Sequence, residues 1–317
     1  MATTAKTYPN SAIELNQHAG VKPWKKEFDS IYTELLGCNI RTIQGKKYVT
    51  RVIEYPGPGE PLILIHGTGG SAESYFRNIR NLGTKHGFHV YSMDAMYHGF
   101  SSKEPVTDDR IGMQVEHLLD FMDAEGLDKA NVEGESMGSF IALRLAMEHP
   151  DRCLKVVLNT GAAVNFKREF KPSLQPSDAL RVLTQELLAS PSEETVRHRM
   201  EWLMAAPERV DDELVKLRLQ FFSMPELQKA QSQVGAGNSA ATAQPRRFEE
   251  EDLQNMKVPA LVYWSEFNPG GGPDIGEHFA SLIPGAKFYN MADAAHWPQY
   301  EHPEEHDQVV ADFLKGK

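Results

Sequence analysis

Val132-Glu133-Gly134-Glu135-Ser136-Met137-Gly138-Ser139-Phe140-Ile141 is the stretch whose reading decides the rest of this chain. A short apolar lead-in enters a tight turn with Ser136 at its apex, and an amphipathic helix over Phe140 to His149 follows. Gly134 and Gly138 flank the serine, where they remove the Cβ atoms that would clash in so sharp a bend. Such a turn forces its central residue into a strained backbone conformation and lifts the hydroxyl clear of the sheet. The following helix aims its free N–H groups at the same point. Ser136 is therefore read as a nucleophile on a strand–turn–helix.

Outward from this turn the chain alternates strands and helices. Tyr48 to Tyr55, Leu62 to Ile65, His89 to Met93 and Lys155 to Leu158 read as strands. Helices are expected at Lys25 to Leu36, Tyr75 to Lys85 and Ile111 to Glu125. The alternation stops after residue 164: Ala179 to Ala189, Glu193 to Ala206 and Asp211 to Phe222 read as helices only. Val234 to Gln244, rich in small residues, reads as a flexible return. Strands at Ala260 to Trp264 and Lys287 to Met291 then alternate with helices near Gly276 to Leu282 and at Pro303 to Leu314. The predicted class is α/β: a mostly parallel sheet covered by helices on both faces, with an inserted helical lid. The expected division is an N-terminal arm over 1–40, a core over 41–163 and 245–317, and a lid over 164–244. Ligands of such a sheet lie at the carboxyl ends of its strands.

Composition narrows the partners. The 317 residues carry a net charge of −11, which argues against nucleic acid or an anionic membrane surface. No apolar run exceeds strand length, so no membrane span is expected, and residues 1–10 lack the apolar segment of a signal peptide. Cys38 and Cys153 are far apart in sequence and read as free thiols of a reducing compartment, with a cytoplasmic location as the expectation. His302 and His306, four apart near Glu301, Glu304 and Glu305, place no third ligand and are read as a polar helix face, so no metal is expected. No cofactor is implied where a nucleophile and a base suffice.

The chemistry needs a base, an acid and an oxyanion hole. His296, in Ala294-Ala295-His296-Trp297-Pro298 just past the last strand, stands where the order serine, acid, histidine places the base. Two backbone N–H donors should hold the oxyanion: Met137, which follows the nucleophile, and Thr68 in His66-Gly67-Thr68-Gly69-Gly70. Gly67 and Gly69 let that backbone approach a substrate. The acid should follow the strand ending at Trp264, and there Asn268 stands in Trp264-Ser265-Glu266-Phe267-Asn268-Pro269. Three readings stay open: Asn268 serves as it is, Glu266 reaches in as a surrogate, or the acid is lost. Asp274 and Asp293 are remoter candidates.

These residues resemble the meta-cleavage-product hydrolases, carbon–carbon bond hydrolases of the α/β-hydrolase superfamily that act in aromatic degradation. The resemblance runs from about Ile31 onward. It rests on the two glycine motifs, on Glu201-Trp202-Leu203-Met204 through Glu213-Leu214-Val215-Lys216-Leu217-Arg218, and on His296-Trp297-Pro298-Gln299-Tyr300-Glu301. It implies a 2-hydroxy-6-oxo-hexadienoate type of substrate, a small-molecule carboxylate with an apolar or aromatic tail. Arg218 would grip the carboxylate, Trp297 would pack on the bound dienoate, and a homo-oligomer is implied. An ion pair of Arg218 with Asp211, Asp212 or Glu213 is the competing reading. Phe166, Phe170, Trp202, Phe221 and Phe222 are candidates for the tail pocket. Asn268, Glu135 before the nucleophile at the substrate side, and Tyr97 where glycine is usual depart from the family pattern. They leave room for a carboxylesterase or lactonase, or for a binding protein that keeps the pocket.

Overall fold

The computed structural model describes residues 28–105, 109–170, 177–236 and 247–317. The arm expected over 1–40 therefore lies partly outside the described residues, as does most of the return over 234–244.

Of the helix expected at 25–36, residues 25–27 lie outside the described residues, and the described part forms a single capped turn, α1 (Ile31–Glu34). The antiparallel strands β1 (Asn39–Gln44) and β2 (Val49–Tyr55) open the sheet, and β1 was not foreseen. β1 is hard to read because its outer positions are exposed and its one buried residue is Ile43. Next come β3 (Pro61–Ile65), a 3₁₀ turn at Ala72–Tyr75, α2 (Ile79–Thr84) and β4 (His89–Met93). α3 (Arg110–Ala124), β5 (Ala130–Glu135), α4 (Met137–Glu148) and β6 (Cys153–Asn159) follow. A two-residue strand β7 (Val164–Asn165) leads to a helical insertion of α5 (Ser177–Ala189), α6 (Glu193–Glu201), α7 (Asp212–Phe222) and α8 (Pro225–Ala236). The chain returns through β8 (Phe248–Glu249), which pairs with β7, and closes with β9 (Ala260–Ser265), α9 (Pro273–Leu282), β10 (Lys287–Met291), α10 (Pro298–Glu301) and α11 (Pro303–Leu314). α8 lies beyond the three helices expected in the insertion and runs into the return expected from Val234, because its Gln, Lys and Gly content hides an amphipathic face.

The eight-stranded sheet has the order β1-β2-β4-β3-β5-β6-β9-β10. All pairs beyond β2–β4 are parallel, so every later strand ends on the same edge. Leu62, Ile63 and Leu64 of β3 are buried on both sheet faces, as a parallel sheet covered by helices requires. One core lies between the sheet and α3, α4 and α9, and another between the sheet and α2 and α11. A third joins the insertion to the strand ends, through Met200, Trp202, Leu203, Phe222, Trp297 and Tyr300.

Two buried polar clusters bind the layers. Glu301 Oε1 accepts from the Ala295 N–H at 2.7 Å, and its Oε2 accepts from the Ala205 N–H at 3.0 Å and from Arg209 Nη1 at 2.7 Å. Beneath the sheet, His306 lies between Glu133 Oε1 at 2.9 Å and Asp307 Oδ1 at 3.1 Å. His306 is thus held between two carboxylates, while His302 Nε2 meets the Asp293 carbonyl at 2.8 Å. Burial opposes the charge on His306, but Glu133 and then Asp307 outweigh it and raise its pKa to about 9.

Breaking a buried ion pair from one side costs about 3–5 kcal/mol. Asp293 still contacts Arg209 at 2.9 Å, so Glu301→Ala should lower unfolding free energy in urea by about 3 kcal/mol, the low end of that range. His306 binds its proton more tightly folded than unfolded, so its contribution is complete below about pH 6.5 and fades as pH rises through about 9. Urea midpoints should fall across that window in the wild type, and His306→Gln should flatten the fall.

Candidate active site

β5 delivers the chain to Ser136, whose φ of 54° and ψ of −111° lie in a region ordinary L-residues avoid. The strain is held in place from below, where the Ser136 N–H donates to the Asn159 carbonyl at 2.9 Å. A Cβ on Gly134 would stand 2.0 Å from the Gly138 oxygen, and one on Gly138 would stand 2.1 Å from the Ile65 oxygen. No side chain fits at either position. Ser136 is half-buried, and α4 begins at the next residue, so the Met137 N–H belongs to a first turn without intrahelical acceptors.

The loop after β3 faces this point. The Ala95 N–H donates to His66 Nε2 at 3.1 Å, which leaves the ring proton on Nδ1, 2.7 Å from the Gly67 carbonyl. The Gly69 N–H donates to His98 Nε2 at 3.1 Å, the Gly70 N–H to the Gly67 oxygen at 3.0 Å, and the Gly67 N–H to Glu135 Oε2 at 2.7 Å. Thr68 is exposed, and its N–H has no partner among the described residues.

His296 follows β10 and is fixed on three sides. Its N–H donates to the Leu203 carbonyl of the insertion at 2.9 Å, and its own carbonyl accepts from the Thr160 hydroxyl at 2.9 Å. Its Nδ1 lies 2.7 Å from Asn268 Oδ1, so the amide oxygen holds the Nδ1–H tautomer and leaves the Nε2 lone pair free. Burial, with Arg199 nearby, pushes the ring's pKa down to about 3.

Glu266 does not reach the ring. It is exposed, and its Oε2 accepts from the Asp293 N–H at 3.0 Å, so the surrogate reading is corrected: the turn after β9 points Asn268 inward and Glu266 outward. Asp293 itself faces Arg209 at 2.9 Å. Among the described residues the Ser136 hydroxyl makes no hydrogen bond. The group at His296 Nε2 is Glu135, whose Oε1 stands 3.3 Å away.

Two arginines of the insertion close over the loop. Arg218 Nη1 donates to the Gly69 carbonyl at 2.8 Å, and its guanidinium lies 4.5 Å from the Trp297 ring centroid. It is 4% exposed and makes no pair with Asp211, Asp212 or Glu213: Asp212 is bonded to Arg197 and Glu213 to the Ile31 N–H. Arg199, 2% exposed, donates from Nη2 to the Thr68 carbonyl at 2.7 Å and from Nε to the Thr184 hydroxyl at 3.1 Å. Its Nη1 is buried without an acceptor among the described residues. Burial lowers both pKa values, Arg218 to about 9 with help from Arg199, and Arg199 to about 10 against the pull of Glu135. Arg199 was overlooked, although it sits on the buried face of α6 with Val196 and Met200, where a cation is out of place. Trp202 stands edge-on to His296 at 6.2 Å. Phe221 and Phe222 line a small void with Gly69 and Arg218, whereas Phe166 and Phe170 cluster on His278.

The residues at 60–303 match a family model described as alpha/beta hydrolase fold. A 2-hydroxy-6-oxo-6-phenylhexa-2,4-dienoate hydrolase of Burkholderia cepacia is 30% identical over 265 residues, covering 81% of this chain and 88% of that protein. A 2-hydroxy-6-oxononadienedioate/2-hydroxy-6-oxononatrienedioate hydrolase of Paraburkholderia phymatum is 27% identical over 259 residues, covering 80% and 87%. Among solved structures, a 2-hydroxy-6-oxo-6-phenylhexa-2,4-dienoate hydrolase from Rhodococcus superposes with a TM-score of 0.75 at 21% identity, over 88% of this chain and 99% of that one, a likeness of fold.

Arg199 lowers the pKa of His296 across the site, and removing that charge should let the ring protonate more easily. In Arg199→Met the His296 pKa, followed by NMR of its ring nitrogens, should rise by up to about 1 unit. An unchanged titration would show that burial alone sets it.

Proposed function

Because the chain belongs to the alpha/beta hydrolase fold family, we propose that it hydrolyses a carbon–carbon bond in a 2-hydroxy-6-oxo-dienoate. In this reading Ser136 is the nucleophile, His296 the base, and the Thr68 and Met137 N–H groups the oxyanion hole. The observation that carries it is the pair of buried guanidiniums beside the raised serine. Among the described residues neither Arg199 nor Arg218 is hydrogen-bonded to a carboxylate. A buried cation without a paired anion is costly, and a carboxylate substrate supplies what is missing. The guanidinium fork suits that group because it can donate two parallel bonds. The named activities of the relatives, all on dienoic acids, support the same substrate class.

With its carboxylate on Arg218 and its dienoate on the Trp297 face, the substrate would direct its C6 carbonyl toward Ser136. Ketonisation of the dienol places a carbonyl where it can accept the electrons of the breaking C–C bond. The Ser136 O–H proton passes to His296 Nε2 as the oxygen adds to C6. The C5–C6 bond then breaks, its electrons pass through the C3–C4 double bond to the C2 oxygen, which takes the proton from Nε2, and water releases the acyl group from the serine. The neutral Asn268 orients the ring without adding charge. The insertion acts as a lid here, since its Leu203 carbonyl and its arginines complete the site.

Spectrophotometric loss of the dienolate chromophore tests the proposal. Ser136→Ala should abolish turnover while substrate still binds. Arg218→Gln should raise KM by roughly 10-fold or more with a smaller change in kcat, since one charge-assisted hydrogen bond is worth about 1.5–3 kcal/mol. Turnover of simple esters with none of dienoates would replace this reading by an esterase.

A further inference from the structure

Glu135 is the buried acid of the site, and nothing so far gives it work. It follows the strand directly into Ser136, and its carboxyl lies between two elements of the site. Oε2 accepts from the Gly67 N–H at 2.7 Å. Oε1 is buried, has no hydrogen-bond partner among the described residues, and stands 3.3 Å from His296 Nε2. The space is reserved for it, since a Cβ on Gly67 would fall 2.5 Å from Glu135 Oε2 and 2.9 Å from Ser136 Cβ. On the other side of the ring, the position that would carry the charged acid holds the neutral Asn268 at 2.7 Å.

We propose that Glu135 is the charge partner of His296, a positioning residue that stabilises the imidazolium from the Nε2 side in place of an acid at position 268. The proposal rests on the roles given above to Ser136 and His296. When the Ser136 O–H bond breaks and the Nε2–H bond forms, a positive ring appears in a buried site. The Glu135 carboxylate at 3.3 Å makes that product a neutral ion pair. When the Nε2–H proton leaves for the departing group, the ring returns to neutral and the carboxylate is unchanged. Such a pair matters most where water is excluded, because the local dielectric no longer screens it.

The role requires Glu135 to be ionised. Burial pushes its pKa up to about 8, against the Gly67 N–H and the cations Arg218 and Arg199, while Glu133 on the same strand adds to the rise. His296 and the Tyr75 phenol also face it. Activity should therefore rise with pH through about 8, as the carboxylate forms.

The test uses the full chain, with dienoate turnover and the rate at which a fluorophosphonate labels Ser136 as parallel readouts. Glu135→Gln keeps an acceptor for the Gly67 N–H but cannot ionise. It should lower kcat and the labelling rate by about 10²-fold, within the range for acid–base assistance, and remove the rise near pH 8. Adding Asn268→Asp to that variant should restore at least about 10-fold, because the charge returns on the opposite nitrogen. Asn268→Asp alone should change the wild type by less than about 10-fold, against the roughly 10⁴-fold that a missing acid is worth elsewhere.

Wild-type rates and pH dependence in Glu135→Gln would overturn the proposal, and so would a slow variant that Asn268→Asp does not rescue. So would a very large gain from Asn268→Asp alone, which needs no Glu135 variant to fold. A wild type that is not labelled at all would overturn it together with the assigned nucleophile. Labelling with the expected pH profile but no dienoate turnover would leave Glu135 in place and remove the proposed substrate.

Discussion

The carboxylate of Glu301 joins the two halves of the molecule. It takes the Ala295 N–H from the loop that carries His296, and the Ala205 N–H and Arg209 from the helical insertion. The His296 N–H then donates to the Leu203 carbonyl, so one short segment of insertion is tied to this loop directly at His296 and through Glu301 at Ala295. His296 is thus placed by a contact between segments some ninety residues apart, not by the sheet alone. Such a junction is stiff, because the Ala205 and Ala295 N–H groups and Arg209 Nη1 all meet one buried carboxylate and none can be released without loss.

Above that junction the charges are unevenly matched. Two guanidiniums and one carboxyl lie in the same enclosed space, and the carboxyl bonds to a backbone N–H instead of to either arginine. Both arginines spend one donor on adjacent carbonyls of the loop after β3, so that loop is gripped by the insertion at Thr68 and Gly69. The loop proposed to offer a donor to an oxyanion is therefore positioned by the same side chains proposed to meet an anionic substrate.

The backbone tolerates strain where this arrangement needs it. Ser136 has a φ of 54°, and Tyr97, buried in the loop after β4, has a φ of 72°. Glycine is usual at the second position, and a tyrosine there costs about 1–3 kcal/mol of conformational strain. Tyr97 offsets part of this by burying its ring beside Met96 and Ala230 and by donating to Met113 Sδ at 3.4 Å.

The parallel strands and the turn at Ser136 were legible in the chain because each is a local matter. Continuous apolar runs belong to strands buried on both faces, and Gly134 and Gly138 stand at fixed offsets from a serine that no other backbone could present. His89 to Met93 and Lys287 to Met291 match their expected bounds, the first with four of its five residues buried and the second as an edge strand marked by its adjacent aromatics. β1 and α8 were not foreseen, since one scatters two isoleucines among polar residues and the other carries its apolar residues among polar ones. The choice between Asn268 and Glu266 turned on which way a loop points its side chains, and two residues apart in sequence cannot reveal that. Arg199 and the approach of Glu135 to Nε2 belong to the same class. They arise where an insertion folds back over the strand ends, and contacts across so many residues are set by packing, not by pattern.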